Sequence, residues 1–267
     1  MAAVLHPLSR HLAELKRRLL IVGATIMVAF VVAFSFADVL INWFKRPFAD
    51  DLLFYGPAEA LFASIKISFL AGVVASFPVM LHQFWKFIQP ALLPREQKWA
   101  IPLFFLASGF FVLGLVFCNL VILPLVINFF VTFGLERELA PELAVGTYVD
   151  FNVKFLLAFG FAFELPLALT LLSRVGLVSP ASLMRYRKHA ALVALILSAI
   201  ITPDATLFTM MLMAIPLMVL YEIGILGAKW FGRGDSAPST QQADSSVSQG
   251  EVRPEPYSSE TAGHRIL

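Results

Sequence analysis

The sequence predicts an all-α membrane protein. Six kinked transmembrane helices form a concave, glove-like bundle with a short last hairpin and both termini cytoplasmic. Three observations carry this prediction. Of the 267 residues, 59% are hydrophobic and only 14% are charged, against about 25% charged in an ordinary soluble domain. The apolar residues gather into runs near the ~20 residues that cross a hydrocarbon core. The Lys and Arg between those runs fall mainly on alternate loops. This composition excludes a soluble enzyme, a coiled coil and a disordered chain, because too few charges remain to keep a fold of this size in water.

Span one, about 19–43, opens on the uncharged run Leu19–Phe36 and continues through Ile41, Trp43 and Phe44. It is too long for the apolar core of a signal peptide and no small-residue cleavage site follows it, so it is read as retained. Span two, about 61–85, carries Lys66 one turn in, where it can snorkel to the interface, and Pro78, which should kink the helix. The uncharged stretch Trp99–Leu135 falls short of the ~40 residues that two spans and a turn require. One helix fits it better: span three, about 99–127, broken near Pro124 and continued by an interfacial segment. Span four, about 151–172, has Thr147 and Asp150 as candidate caps.

Spans five and six, about 190–201 and 207–226, flank the turn Thr202-Pro203-Asp204, with Asp204 as its cap. Both arms read as short, and span six carries Pro216 and ends its apolar run at Glu222. Such a pair either thins the bilayer locally or is re-entrant, and its two ends share a side in both cases. Residues 1–231 thus form the membrane domain. The tail 232–267, dominated by Ser, Gln, Asp, Glu and Pro, is expected to be a disordered cytoplasmic segment.

Orientation follows from charge. Thirteen of the 20 Lys and Arg lie in the N-terminal segment, the 86–98 and 174–189 loops and the start of the tail. The opposite loops hold Lys45, Arg46 and Arg137, while 131–150 is acidic. The positive-inside rule puts the first set in the cytoplasm. Cys118, the single cysteine, excludes a disulfide framework, and the five His have no metal-ligand spacing. No GxxxxGK[ST] loop is present to cradle a nucleotide. No cofactor is expected, and any work must draw on a partner or on the membrane potential.

Three carboxylates stand out. Glu164, in LAFGFAFELPLALTLL, lies ten residues from both Lys154 and Arg174, roughly 15 Å from either end of its span. A carboxyl there is expensive and rarely faces lipid, so a docking or proton-exchange role is the default reading. The bland one is a protonated Glu bonded to a neighbouring helix. Glu14, in HLAELKRRLL, has a surface explanation, since Arg10, Glu14 and Arg18 are spaced for a salt-bridge ladder. Glu96, in PREQKW, has another, as a carboxylate near a helix N-terminus. Taken together at one membrane face, they allow a two-carboxylate site for guanidinium groups.

These residues together resemble TatC, the multi-spanning subunit of the twin-arginine protein translocase, from about Arg10 to Lys229. HLAELKRRLL resembles the family's HLxELRxR motif, and PAEALFASIK its PxEAF segment. FPVMLHQFWKFIQPALLPRE resembles the stretch ending FxxPxLxxxE, and FGFAFELP and ITPD…AIPLMVLYE resemble the span-four and span-six signatures. Each motif is weak alone; five in order on six spans are strong. Two departures matter. Lys16 stands where the family usually has Arg, replacing a planar fork by a point charge. The turn before span six lacks the family's double Pro and Gln, so a contact carried by that Gln does not transfer.

The resemblance implies a receptor for the twin-arginine signal peptides of folded cargo at the cytoplasmic face of a bacterial inner membrane. Glu14 and Glu96 would contact the two arginines, with Arg18 and Lys16 beside them. Glu164 would sit in a groove facing the peptide or a partner helix. The last hairpin would dock the single-span partners TatA and TatB, through Thr202, Asp204, Thr206, Thr209 and Glu222, with Thr206 and Thr209 as candidate substitutes for the missing Gln. Self-association, transport driven by the proton-motive force, no enzymatic activity and no nucleic-acid partner are also implied. A proton-coupled small-molecule transporter is the alternative, motivated by Glu164 and the prolines, though no internal repeat supports it. A scaffold for other membrane proteins is a third reading.

Overall fold

The computed structural model describes residues 5–45, 52–53, 55–89, 100–137, 143–202 and 206–231. They form α1 (Leu5–Phe34), α2 (Ala37–Lys45), β1 (Leu52–Leu53), α3 (Pro57–Ile88) and α4 (Ala100–Phe117). A π-helical turn (Cys118–Ile122) leads into α5 (Leu123–Leu135), followed by β2 (Leu143–Ala144), α6 (Val145–Ala162) and α7 (Leu165–Arg174). The chain closes with α8 (Pro180–Arg185), α9 (Arg187–Ile201) and α10 (Leu207–Phe231). The two short strands pair in parallel, Leu52 with Leu143 and Leu53 with Ala144. Five stretches among the described residues are long and apolar enough to cross a membrane: Ala13–Phe34, Pro57–Phe87, Ile101–Leu135, Val145–Arg174 and Leu207–Phe231. The fifth expected span, α9, has 15 residues. It reaches only about 22 Å, less than a ~30 Å hydrocarbon core.

Four expectations change. Span one is two helices. The N–H of Ser35 is shared between the carbonyls of Val31 and Val32 at 3.2 Å, and the Ser35 hydroxyl returns to Val31. This tightens the last turn of α1, and Asp38 then sits in the first turn of α2, where its charge suits a helix N-terminus. Span three does not break at Pro124. The Leu123 N–H reaches back to the Cys118 carbonyl, widening the helix by one residue. Pro124 then falls in the first turn of α5, where its missing N–H does least harm. The helix runs on to Leu135, so the interfacial segment becomes part of one continuous candidate span.

Span four starts earlier than expected. Its N-cap is Ala144, and Thr147 and Asp150 lie inside α6 rather than before it. The first turn is served instead from α3: Glu59 Oε1 accepts the Gly146 N–H at 2.7 Å. Span six is not short, because α10 has 25 residues. Glu222 does not end it, since Arg187 at the start of α9 pairs with that carboxylate at 2.6 Å. Pro203, Asp204, Glu96 and the tail 232–267 lie outside the described residues.

Contacts set the directions of the helices. Glu59 with Gly146, Lys66 with Asp150 and Phe77 with Phe161 show that α3 and α6 run parallel. Between them the antiparallel α4 packs closely. A Cβ at Gly114 would meet the Phe159 carbonyl at 2.6 Å, and one at Gly160 would meet the Phe111 ring at 2.8 Å. Small residues at a crossing let helix backbones approach where lipid supplies no hydrophobic drive. Phe77 and Phe111 stack at 3.6 Å, and Phe111, Phe155 and Phe159 are fully buried. At the other side of the chain Gly224 of α10 lies against Pro166 and Leu169 of α7. By contrast, the apolar window of α1 buries nothing. That helix presents most of its surface outward, as a helix solvated by lipid can.

Candidate functional site

A groove of about 460 Å³ is bounded by the first half of α1, the second half of α3, the start of α4 and the α6–α7 junction. Its walls are apolar, with Leu19, Phe84, Phe104 and Leu171 among them. Four residues bring polar atoms to it: Arg18, Gln83, Trp85 and Glu164. The local structure explains how each arrives there. Pro166 has no N–H to give the Ala162 carbonyl, and the chain turns at Phe163-Glu164 before α7 begins. Glu164 is the N-cap of α7, and its carbonyl still accepts the Ala168 N–H at 2.8 Å. The break swings the mid-span carboxyl out of a regular ladder and into the groove.

Arg18 reaches the groove from α1. Its Nη1 donates to the Gln83 carbonyl at 3.3 Å, and its Nη2 pairs with Glu14 Oε1. The Arg18 side chain is 15% exposed, and that of Glu14 is 43% exposed. Three polar atoms of this groove are buried without a hydrogen-bond partner: Arg18 Nε, Trp85 Nε1 and Glu164 Oε1. Among the described residues the other buried side-chain atoms in that condition are four serine hydroxyls. The orphaned charged and indole groups therefore share one location. An unmet buried group of this kind costs roughly 1–3 kcal/mol, so the groove concentrates that cost at three atoms.

The predicted residues separate into three sets. Glu14, Arg18 and Glu164 come together, with Glu14 at the rim and reaching the groove through Arg18. Lys16 is exposed and does not line the groove. Glu96 lies outside the described residues. Trp85 is the residue that sequence reasoning missed, because a missing indole partner leaves no trace in a sequence.

The hairpin residues behave differently from one another. Thr202 is buried and its hydroxyl donates to the Ser198 carbonyl at 2.8 Å. Thr209 is buried and shares a 2.8 Å hydrogen bond with the exposed Thr206. Both therefore act inside the hairpin. Glu222 lies on the wall of a second groove, about 670 Å³, formed by α9 and α10 with Leu195, Met211, Ala214 and Met218. Asp204 lies outside the described residues.

Comparison with known proteins matches residues 10–216 to the family model described as Sec-independent protein translocase protein (TatC). The TatC protein of Aquifex aeolicus is 39% identical over 229 residues, covering 84% of this chain and 95% of the relative. That of Desulforapulum autotrophicum is 37% identical over 246 residues and covers 90% of each. That of Helicobacter pylori is 39% identical over 222 residues, covering 83% of this chain and 87% of the relative. A crystal structure of the twin-arginine translocase receptor TatC superposes with a TM-score of 0.76 at 37% identity, covering 84% of this chain and all of the other. The order of motifs, the helical passes and the groove with its mid-span carboxyl thus have a common explanation: the chain belongs to the TatC family of Sec-independent protein translocase proteins.

Proposed function

We propose that this chain is the receptor subunit of a twin-arginine translocase, capturing the signal peptides of folded precursor proteins. The carrying observation is the groove. A carboxylate at its rim, Glu14, suits a guanidinium. Behind it, apolar walls suit the hydrophobic stretch of a signal peptide, and orphaned donors and an acceptor wait at Arg18, Trp85 and Glu164. Glu14 and Glu96 take the two arginines, and Arg18 and Lys16 stand beside them. Glu164 meets the peptide or a partner helix within the span.

The chain is multi-pass in a bacterial inner membrane, with both termini cytoplasmic, and is not an enzyme. Single-span partners of the TatA and TatB type dock on the α9–α10 hairpin. The apolar groove carrying Glu222 supports that reading, as does Thr206 at the surface; Asp204 joins the docking set by resemblance alone. Thr202 and Thr209 shape the hairpin from inside. Transport then draws on the proton-motive force, in keeping with a sequence that holds no nucleotide-binding loop. Self-association places several such receptors together. Family membership favours this reading over a small-molecule transporter.

Photo-cross-linking tests it. Probes placed near positions 14, 96 and 164 should capture a twin-arginine precursor, and Glu14→Ala or Glu96→Ala should weaken capture while the protein stays inserted and abundant. Unchanged capture by both variants removes the two carboxylates from the assignment.

A further inference from the structure

The seat offered to an incoming guanidinium is already taken. Glu14 Oε1 accepts from Arg18 Nη2. Arg18 is no loose surface partner: it is far less exposed than Glu14, and it also holds the Gln83 carbonyl on the neighbouring helix at 3.3 Å. Its Nε is nonetheless buried with no acceptor. A guanidinium carries five N–H donors in a rigid fork, so two contacts leave this one under-used. The same groove holds the complementary orphan, Glu164 Oε1, an acceptor without a donor. Cation and carboxylate thus line one cavity without pairing, while the cation is held at the rim by a second carboxylate.

We propose that Arg18 is an internal stand-in for the ligand's guanidinium. It occupies Glu14 until a twin-arginine segment displaces it, and the released side chain turns into the groove and pairs with Glu164. This deepens, and rests on, the twin-arginine reading above. Recognition becomes an exchange rather than an addition. A ligand must replace a planar fork on Glu14, which an arginine does in kind and a lysine, a point charge, does less well. The exchange also transmits information, because filling a carboxylate in the first half of α1 changes the partner of a carboxylate at the α6–α7 break. A ligand moves such an equilibrium only by its differential affinity for the two arrangements; the freed Arg18–Glu164 contact offsets part of the lost Arg18–Glu14 pair, and the ligand's own contacts supply the rest.

The test uses the full-length protein in nanodiscs and labelled synthetic peptides, one with a twin-arginine and one with a twin-lysine motif, with Kd read by fluorescence anisotropy. The exchange predicts that Arg18→Gln binds the twin-arginine peptide roughly two- to fivefold tighter, the scale of removing one partly exposed competing ion pair. The ratio of twin-lysine to twin-arginine affinity should rise as well. Adding Glu14→Gln should abolish the gain. Glu164→Gln should weaken peptide binding more beside Arg18 than in the Arg18→Gln background. Should Arg18→Gln fail to fold, Arg18→Lys keeps the charge without the fork and should still bind the twin-arginine peptide more tightly than wild type. A static strut between α1 and α3 predicts the reverse. Binding by Arg18→Gln that is equal to or weaker than wild type, with Glu164→Gln acting equally in both backgrounds, overturns the exchange alone. A wild-type protein that binds neither peptide overturns the recognition reading itself.

Discussion

At the end of the bundle where α3 and α6 begin, polar groups meet one another. Glu59 accepts the N–H of Tyr55 at 2.8 Å and of Gly146 at 2.7 Å, Lys66 pairs with Asp150, and the Tyr148 hydroxyl donates to the Phe44 carbonyl at 3.2 Å. The β1–β2 ladder ties the preceding loops together at the same place. Toward the opposite end, where α1 begins, Arg18 Nε, Trp85 Nε1 and Glu164 Oε1 are buried without partners. The residue types are alike and the outcomes differ. A met polar group fastens helices to each other, whereas an unmet one costs stability, and besides four serine hydroxyls the unmet atoms among the described residues are these three. One end is fastened by its own polar groups and the other is the end proposed above for peptide capture, so substitutions at the two ends should separate stability from capture.

The largest effect is expected at Glu164. Replacing it by Gln should lower export of a twin-arginine reporter at least tenfold, since a hydrogen bond to a charged group contributes about 1.5–3 kcal/mol. The thermal midpoint of the purified protein should hold, because Oε1 has no partner within the chain to lose. Export corrected for abundance, read beside a thermal melt, checks both. A midpoint that falls in step with export makes Glu164 one more fastening and erases the contrast.

Next comes Trp85. Trp85→Phe keeps an aromatic ring in the groove and deletes the orphaned Nε1 donor. Peptide affinity should fall roughly two- to tenfold, the scale of one neutral hydrogen bond, with an unchanged melt. Equal affinity and a lower midpoint place this indole among the packing residues.

The contrast also marks what can be read from a sequence. Glu164 was legible because charge is scarce and its distance from both span ends follows from counting. The breaks were not. At Ser35 the turn depends on a backbone N–H shared by two carbonyls, and at Cys118 on a single hydrogen bond lengthened by one residue; neither has a composition. The end of α10 was read too early because Glu222 looks like a stop until Arg187, thirty-five positions away, is seen to pair with it. Glu59 hid for a related reason. A carboxylate in the first turn of a helix is explained by that helix alone, so its service to α6 stayed invisible until the fold brought Gly146 beside it. Local pattern predicts elements; long-range partners decide which polar groups are met.

At the fastened end, Tyr148→Phe should lower stability without touching capture. Tyr148 is buried, and the change strips the Phe44 carbonyl of a donor. A loss of about 0.5–1.5 kcal/mol is expected from soluble proteins, and interhelical bonds in bilayers average nearer ~0.6 kcal/mol. Thermal or denaturant melts resolve that range, and peptide affinity measured on the same sample should match wild type. Weakened capture at equal stability contradicts the division of labour directly.

The smallest effect belongs to Lys66 and Asp150, although their pairing is the most conspicuous contact at that end. Both side chains are about 40% exposed, 41% and 40%, so water screens the attraction and the pair competes with two well-hydrated ions. Exposed pairs couple by roughly 0.2–1 kcal/mol. In a cycle of Lys66→Met, Asp150→Asn and the double variant, the two single losses should exceed the double loss by no more than that. The coupling should shrink further in ~1 M salt, where the screening length falls to about 3 Å. A coupling of several kcal/mol that resists salt means the site is drier than its exposure indicates. The first turns of α3 and α6 would then be held mainly by charge. A small, salt-sensitive coupling instead leaves that holding to the Glu59 bridge, the Tyr148 hydroxyl and the packing of α4 between the two helices.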